Sequence, residues 1–256
     1  AAVGQAGGVL LVETVRTSGI DGWLSTALAP WRRPFASHDP AKVLLDIAVA
    51  LALGGDCLAD VNLLRAEPAV FGRVASDPTV SRLIDTLAAD ADHALAAIEA
   101  ARAQARARVW ALAGAHAPDH ATDVSSPLII DLDATLVAAH SEKEHAAPTF
   151  KRGYGFHPLC GFVDHGQAGT GEPLAIMLRP GNAGSNTAAD HITVTRKALA
   201  QVPGHQPGTR PGRKVLIRVD AAGATHAFLD CLTKQRLSYS IGFALGDVSD
   251  VLGKIP

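Results

Sequence analysis

Along the first 114 residues apolar positions recur at helical spacing, and from Leu128 onward the period drops to two. Leu10, Leu11, Val15 and Ile20 mark a first amphipathic helix that Gly19 or Gly22 closes. Trp23, Leu24 and Leu28 follow, and then Pro30, Pro34 and Pro40 interrupt the pattern. Asp39-Pro40 couples a capping carboxylate to a proline whose fixed φ suits a first helical turn. Behind it Val43, Leu44, Ile47, Leu51 and Leu53 form an apolar stripe, ended by Gly54-Gly55. A short helix is expected over 57–65. Asp77-Pro78 repeats the capping pattern ahead of Val80, Leu83, Ile84 and Leu87, and an alanine-rich helix runs from Asp90 or Asp92 to Gly114. Residues 115–126 hold Pro, Asp, His and Ser without a period, which reads as a linker. The organisation expected is a helical region, 1–114, that is a candidate DNA-binding domain, a linker, 115–126, and a second domain, 127–256.

The second domain opens on the stretch from Ser126 to His140. Leu128, Ile129 and Ile130 run into Asp131, Leu132, Asp133, Ala134, Thr135, Leu136 and Val137. Apolar and β-branched residues predict a strand. Strand side chains alternate, so Asp131, Asp133 and Thr135 share one face and Ile130, Leu132 and Leu136 the other. Further strands are expected over 156–163, 173–179, 214–219 and 237–243, with helices over 187–202 and 224–235 and one more beginning at Asp247. Short turns make the first three strands antiparallel. A fourth strand reached through a helical crossover joins the sheet parallel to the first, so that Asp220 lies near Asp131 and Asp133. The fold class is α/β, with a mixed sheet behind an N-terminal helical region.

Composition excludes some classes. The chain is 48% hydrophobic and 19% charged, an ordinary globular balance. No apolar run approaches the roughly 18 residues that span a bilayer, so no membrane partner and a cytoplasmic location are expected. Cys57, Cys160 and Cys231 are scattered and odd in number, as free thiols of a reducing compartment are. Net charge is −2 overall, but it is unevenly spread. Residues 1–113 carry ten Lys/Arg against twelve Asp/Glu, whereas residues 151–218 carry nine against three. A basic block after an acidic strand suits a polyanion held over a metal site. In the helical region, the run from Ser76 to Leu83 resembles the start of a helix-turn-helix recognition helix, with small polar residues and Arg82.

Two carboxylates on one face of a half-buried strand repel each other and lose solvation, and a hard cation such as Mg²⁺ relieves both penalties. Leu-Ile-Ile-Asp-Leu-Asp-Ala-Thr-Leu-Val resembles motif I of haloacid-dehalogenase-like phosphatases, which implies Asp131 as nucleophile and Asp133 as acid/base. The chain departs from that pattern. Ala134 stands where a glycine is usual, and antiparallel strands follow where the phosphatases have parallel βαβ units.

The order of elements, with Asp-Leu-Asp-Ala-Thr, His-Ser-Glu-Lys-Glu, Lys-Arg-Gly-Tyr-Gly-Phe-His-Pro-Leu, Arg-Pro-Gly-Asn-Ala-Gly-Ser-Asn-Thr and Leu-Ile-Arg-Val-Asp-Ala-Ala-Gly, resembles the RNase H-like catalytic domain of DDE transposases from bacterial insertion sequences. That resemblance implies metal-dependent DNA cleavage and strand transfer at terminal inverted repeats. The catalytic and metal-binding acids it implies are Asp133 and Asp220, with Asp131 as the rival on the same face. It implies two Mg²⁺ or Mn²⁺ ions as cofactors, terminal-repeat and target DNA as partners, and a homo-oligomer on DNA in the nucleoid. Lys151, Arg152, Arg179 and Arg218 are expected to neutralise phosphates, and Asn182, Asn186 and His157 to donate to the DNA backbone. The family's third acid, a Glu on a helix, would lie beyond Pro256. The RNase H-like domain is therefore expected to be incomplete and the chain inactive or partial. A second reading is a shortened product that occupies element ends or pairs with full-length transposase and inhibits it.

Overall fold

The computed structural model describes residues 6–139, 143–166, 169–206 and 208–243. The chain divides into two compact units, Ala1–Leu112 and Ala113–Pro256. The expected helix from Asp247 lies outside the described residues. Among the described residues no helix is long and apolar enough to cross a membrane.

The first unit is helical: α1 (Ala6–Ser18), α2 (Ile20–Ala27), α3 (Pro40–Ala52), α4 (Asn62–Arg65), α5 (Pro68–Phe71), α6 (Asp77–Ala88) and α7 (Ala91–Ala113). The Asp39 carboxylate accepts a hydrogen bond from the Ala41 amide, 2.8 Å away, and Pro40 occupies the first turn, so α3 begins where the sequence predicts. The second cap falls differently. Ser76 is the extended residue before α6, and Asp77 is already helical and pairs with Arg65. Two apolar clusters hold the unit. One gathers Val43, Val49, Val61, Leu64, Phe71 and Val80. The other gathers Leu24, Leu28, Ala41, Leu87, Ala94 and Ala101.

In the second unit a five-stranded sheet has the order β6-β5-β1-β7-β8. Its strands are β1 (Leu128–Ala134), β5 (Leu159–Val163), β6 (Glu172–Met177), β7 (Val215–Val219) and β8 (Ser238–Ile241). β2 (Val137–Ala138), β3 (Ala147–Pro148) and β4 (Tyr154–Phe156) make a small separate sheet. The expected strand over 156–163 is thus two strands in two sheets. His157 and Pro158 separate them, since proline has no amide for a ladder. β1 pairs antiparallel with β5 and parallel with β7. The parallel crossover to the first strand is therefore present, and the mixed α/β architecture is as expected.

α8 (Ala188–Ala200) and α9 (His226–Lys234) supply the helices that connect the parallel strands. α8 packs on β1, β5 and β6 and against α9. Leu132 and the α8 side chains Val194 and Ala198 crowd Gly161, where a Cβ would stand 3.3–3.5 Å from them. That face of the sheet is the core, with Leu128, Ile130, Leu132, Val215, Ile217 and Val219 buried along it. The opposite face is half open. It carries Ile129, Asp131, Asp133, Leu216 and Arg218 in the alternate positions.

Phe228 of α9 is fully buried, and its ring centroid lies 5.3 Å from that of His191 on α8. Phe228→Ala is expected to destabilise the second unit by about 3–5 kcal/mol, through lost burial and the cavity left behind. Ile176→Ala, at a position 55% exposed, is expected to change stability by less than about 0.5 kcal/mol. Urea unfolding followed by circular dichroism measures both.

Candidate functional site

The parallel ladder between β1 and β7 brings the acids together. Asp131 pairs in register with Arg218, and Leu132 with Val219. One residue further along each strand come Asp133 and Asp220. Both are exposed. Each anchors one oxygen on a backbone amide. Asp133 Oδ1 accepts from the Ala134 N–H at 2.8 Å. Asp220 Oδ1 accepts from the Ala222 N–H at 2.9 Å, which caps the short 3₁₀ turn Ala221–Gly223. The bond orients each carboxylate and leaves its second oxygen available.

Asp133 and Asp220 line one cleft of about 420 Å³. Its other walls are Phe150, His157, Leu159, Asn182 to Ser185, His191 and Ala222. The loop between β6 and α8 is pressed against the small sheet to make one side. A Cβ on Gly181 would run into the carbonyls of Ala147 and Gly155, so only glycine allows that approach. His157 and His191 are both buried. The Nδ1 of His157 lies 3.3 Å from the Ala183 carbonyl, and that of His191 lies 3.0 Å from the Thr187 carbonyl. Their rings are wall and support rather than free ligands.

Asp131 is placed differently from its strand-mate. Both of its oxygens are taken by Arg218, with Nε donating to Oδ1 at 2.6 Å and Nη2 to Oδ2 at 2.7 Å. The same guanidinium donates to Asp164, at 2.7 Å, just past β5. The carboxylates push the Arg218 guanidinium even further up than usual, Asp131 foremost. Two acids and one arginine thus form a bidentate, charge-assisted network across three strands. It occupies the group that sequence placed on a phosphate, and it ties up the carboxylate that sequence weighed as a nucleophile or ligand. Arg179 is likewise committed. It is buried and donates to the His157 carbonyl at 2.9 Å, the Gly184 carbonyl at 3.2 Å and Asp190 at 3.0 Å. It holds the loop that walls the cleft.

Among the remaining expected DNA contacts, Lys151, Arg152, Asn182 and Asn186 are exposed. Lys151 lies over the ring of Phe150, 5.7 Å from its centroid, at the cleft rim. Asn182 faces the cleft itself, and the side-chain oxygen of Asn186 accepts from the Ser185 hydroxyl. Asp164, Phe150 and Ser185 were not singled out from sequence. The signal for Asp164 was its place at the end of a strand, opposite the acidic one. Cys160, opposite Asp133 in the β1–β5 register, has its thiol pushed up by burial and then by the Asp133 charge.

The donor set of Asp133 and Asp220 suits a hard divalent cation. It offers two neighbouring carboxylates, free oxygens, and room for water, which Mg²⁺ retains when one or two carboxylates hold it. Among the described residues the one group of three clustered metal-type donors is Asp56, Cys57 and Asp60, in the first unit. There the Asp60 carboxylate already accepts from the amides of Asp56 and Cys57 and from the Cys57 thiol, as a helix cap does.

The family model for the transposase DDE domain group 1 matches residues 1–249. No curated protein matches the chain. That match spans both units, including the strand pair that ends on Asp133 and Asp220. The antiparallel β5 and β6 that follow the acidic strand also set the chain apart from the phosphatase pattern considered for the same motif. By this match and the mixed sheet behind it, the chain belongs to the DDE transposase family, whose members act on DNA with divalent metal ions.

Proposed function

We propose that Asp133 and Asp220 are the catalytic acids of a transposase that cleaves DNA at the ends of an insertion sequence and transfers the strand. The single observation that supports this reading most is their convergence. Two exposed carboxylates from strands 87 residues apart line one cleft, each with an oxygen free, while Asp131 has none. A divalent ion held between them would polarise a phosphoryl oxygen and lower the pKa of an attacking water or 3′-hydroxyl. Asp133 and Asp220 would hold it. Asn182 is placed to donate to the DNA backbone within the cleft, and Lys151 and Arg152 to neutralise phosphates at its rim. His157 and Arg179 act from behind, by fixing the loop that carries Asn182. Arg218 neutralises Asp131 and so lets a third acid sit one step behind the pair without adding to its repulsion.

Placing Asp131 in a structural role has a consequence for stability. Asp131→Asn is expected to cost about 1 kcal/mol, because the pair is bidentate yet more than a third exposed. Asp133→Asn is expected to cost nothing without metal, or to stabilise slightly, since it removes one of two neighbouring like charges. Thermal unfolding in EDTA measures both. A larger loss for Asp133→Asn than for Asp131→Asn would reverse the two roles.

Divalent metal supplies the second test. With Mn²⁺ at ten times its dissociation constant, the second unit is expected to gain about 1.4 kcal/mol. Asp133→Asn and Asp220→Asn lose that gain, and Asp131→Asn keeps it. In the same series, Mn²⁺-dependent nicking of labelled terminal-repeat DNA should vanish with Asp133 or Asp220. Nicking that survives Asp220→Ala would sink the assignment. Hydrolysis of small phosphomonoesters lost on Asp131→Asn would instead favour the phosphatase reading.

A further inference from the structure

A cavity of about 530 Å³ lies in the first unit, between α1, α2, α3 and α5. Pockets of that size take small molecules. Lys42, Leu45, Asp46 and Val49 reach it from α3, and their spacing puts them on one helix face. Val12 and Val15 line it from α1, and Val70 and Phe71 from α5. These two helices lie so close that a Cβ on Gly8 would stand 2.6 Å from the Phe71 ring. Most of the wall is therefore apolar and fixed by packing.

Asp46 is the exception in that wall. It is 5% exposed, yet its carboxylate is half satisfied. Lys42, one turn back, donates to Oδ1, and Oδ2 has no hydrogen-bond partner. A buried carboxylate oxygen without a donor is costly. Burial pushes the Asp46 carboxyl up, and the hydrogen bond and charge of Lys42 pull it back only in part. The neighbouring charges are spent elsewhere, with one exception. Asp39 accepts from the Ala41 amide, the Ser25 hydroxyl and Arg32, and Arg16 pairs with Glu13. Asp21, exposed at the cavity's edge, has no cation partner among the described residues. An apolar lining thus meets one carboxylate oxygen that lacks a donor and one carboxylate that lacks a cation.

We infer that this cavity binds a small amphiphilic cation, an alkyl or aralkyl ammonium, whose head donates to Asp46 and whose tail packs on Val12, Val15, Leu45 and Val49. Lys42 is the placeholder for that head. Its Nζ is tethered one turn away and reaches Oδ1 alone, whereas a free ammonium carries three donors and can settle between both oxygens. The Lys42 side chain is long and 38% exposed, so its head turns to water when it is displaced. The carboxylates set the ligand class. An anion is repelled by Asp21 and Asp46, and a neutral alcohol gains no charge-assisted bond. The inference stands apart from the transposase reading, because it uses neither the acidic pair nor DNA.

The test titrates the full chain, in EDTA at neutral pH, with n-heptylammonium, n-heptanol and n-heptanoate by isothermal calorimetry. The ammonium should bind with a Kd on the order of 0.1 mM, which its eight non-hydrogen atoms can supply. The alcohol and the carboxylate should bind about tenfold more weakly or worse. Asp46→Asn should weaken the ammonium about tenfold or more with helicity kept. Lys42→Met should instead tighten it about threefold or more, because the competing head is gone. A pair with a structural role alone gives no such gain. Asp90→Asn, which removes an exposed acid outside the cavity, should change nothing. Equal affinity for heptanol and heptylammonium, an ammonium affinity unmoved by Asp46→Asn, or no binding to the unaltered chain overturns the inference. Unchanged or weaker binding in Lys42→Met overturns the placeholder. If Asp46→Asn does not fold, the three ligands on the unaltered chain still decide.

Discussion

Two carboxylates end neighbouring parallel strands, and the sheet must keep them there against their own repulsion. The pairing of β1 with β7 does this. Its register fixes Leu132 opposite Val219, and both are buried beneath the helices, so a slip of one residue would turn an apolar face to water. Burial of Leu132 and Val219 therefore sets the position of Asp133 and Asp220, one step further along. The same register would have stacked a third acid beside them. Arg218 prevents that by closing on Asp131 from the adjacent strand, with Asp164 completing the charge balance. The two exposed acids and the one neutralised acid are consequences of a single ladder.

The cleft depends on that ladder and on one loop. Arg179, buried, ties the loop to His157 and to the first turn of α8, and Gly181 lets the backbone pass close to the small sheet. His191 is held from below by Phe228, in the helix that follows Asp220. Core packing, loop closure and the acidic pair are thus coupled in the second unit. The first unit is a helical body with its own apolar clusters.

Much of this was legible from the chain. The change of period at Leu128 located the sheet, Asp39-Pro40 located a helix start, and the helical crossover foretold that Asp220 would sit beside the first strand. Period two could not separate Asp131 from Asp133, because both fall on one face. Their difference comes from Arg218, which is distant in sequence and reads there as one more basic residue. Arg179 was opaque for the same reason: a basic residue in a basic block looks solvated until a fold buries it. The break at His157-Pro158 was visible as a proline, but which sheet each half would join depends on turns with no sequence period.

The proposed catalysis requires a divalent ion between Asp133 and Asp220. Iron-mediated cleavage of the polypeptide tests it most directly: with ascorbate and hydrogen peroxide added, Fe²⁺ bound in place of Mg²⁺ reduces peroxide to hydroxide and a hydroxyl radical, which cuts the nearest backbone, and ascorbate returns the Fe³⁺ to Fe²⁺. Two cuts are expected, one beside Asp133 and one beside Asp220, both suppressed by excess Mg²⁺. Cuts confined to the neighbourhood of Asp56 and Asp60, or beside Asp133 with none beside Asp220, would contradict it.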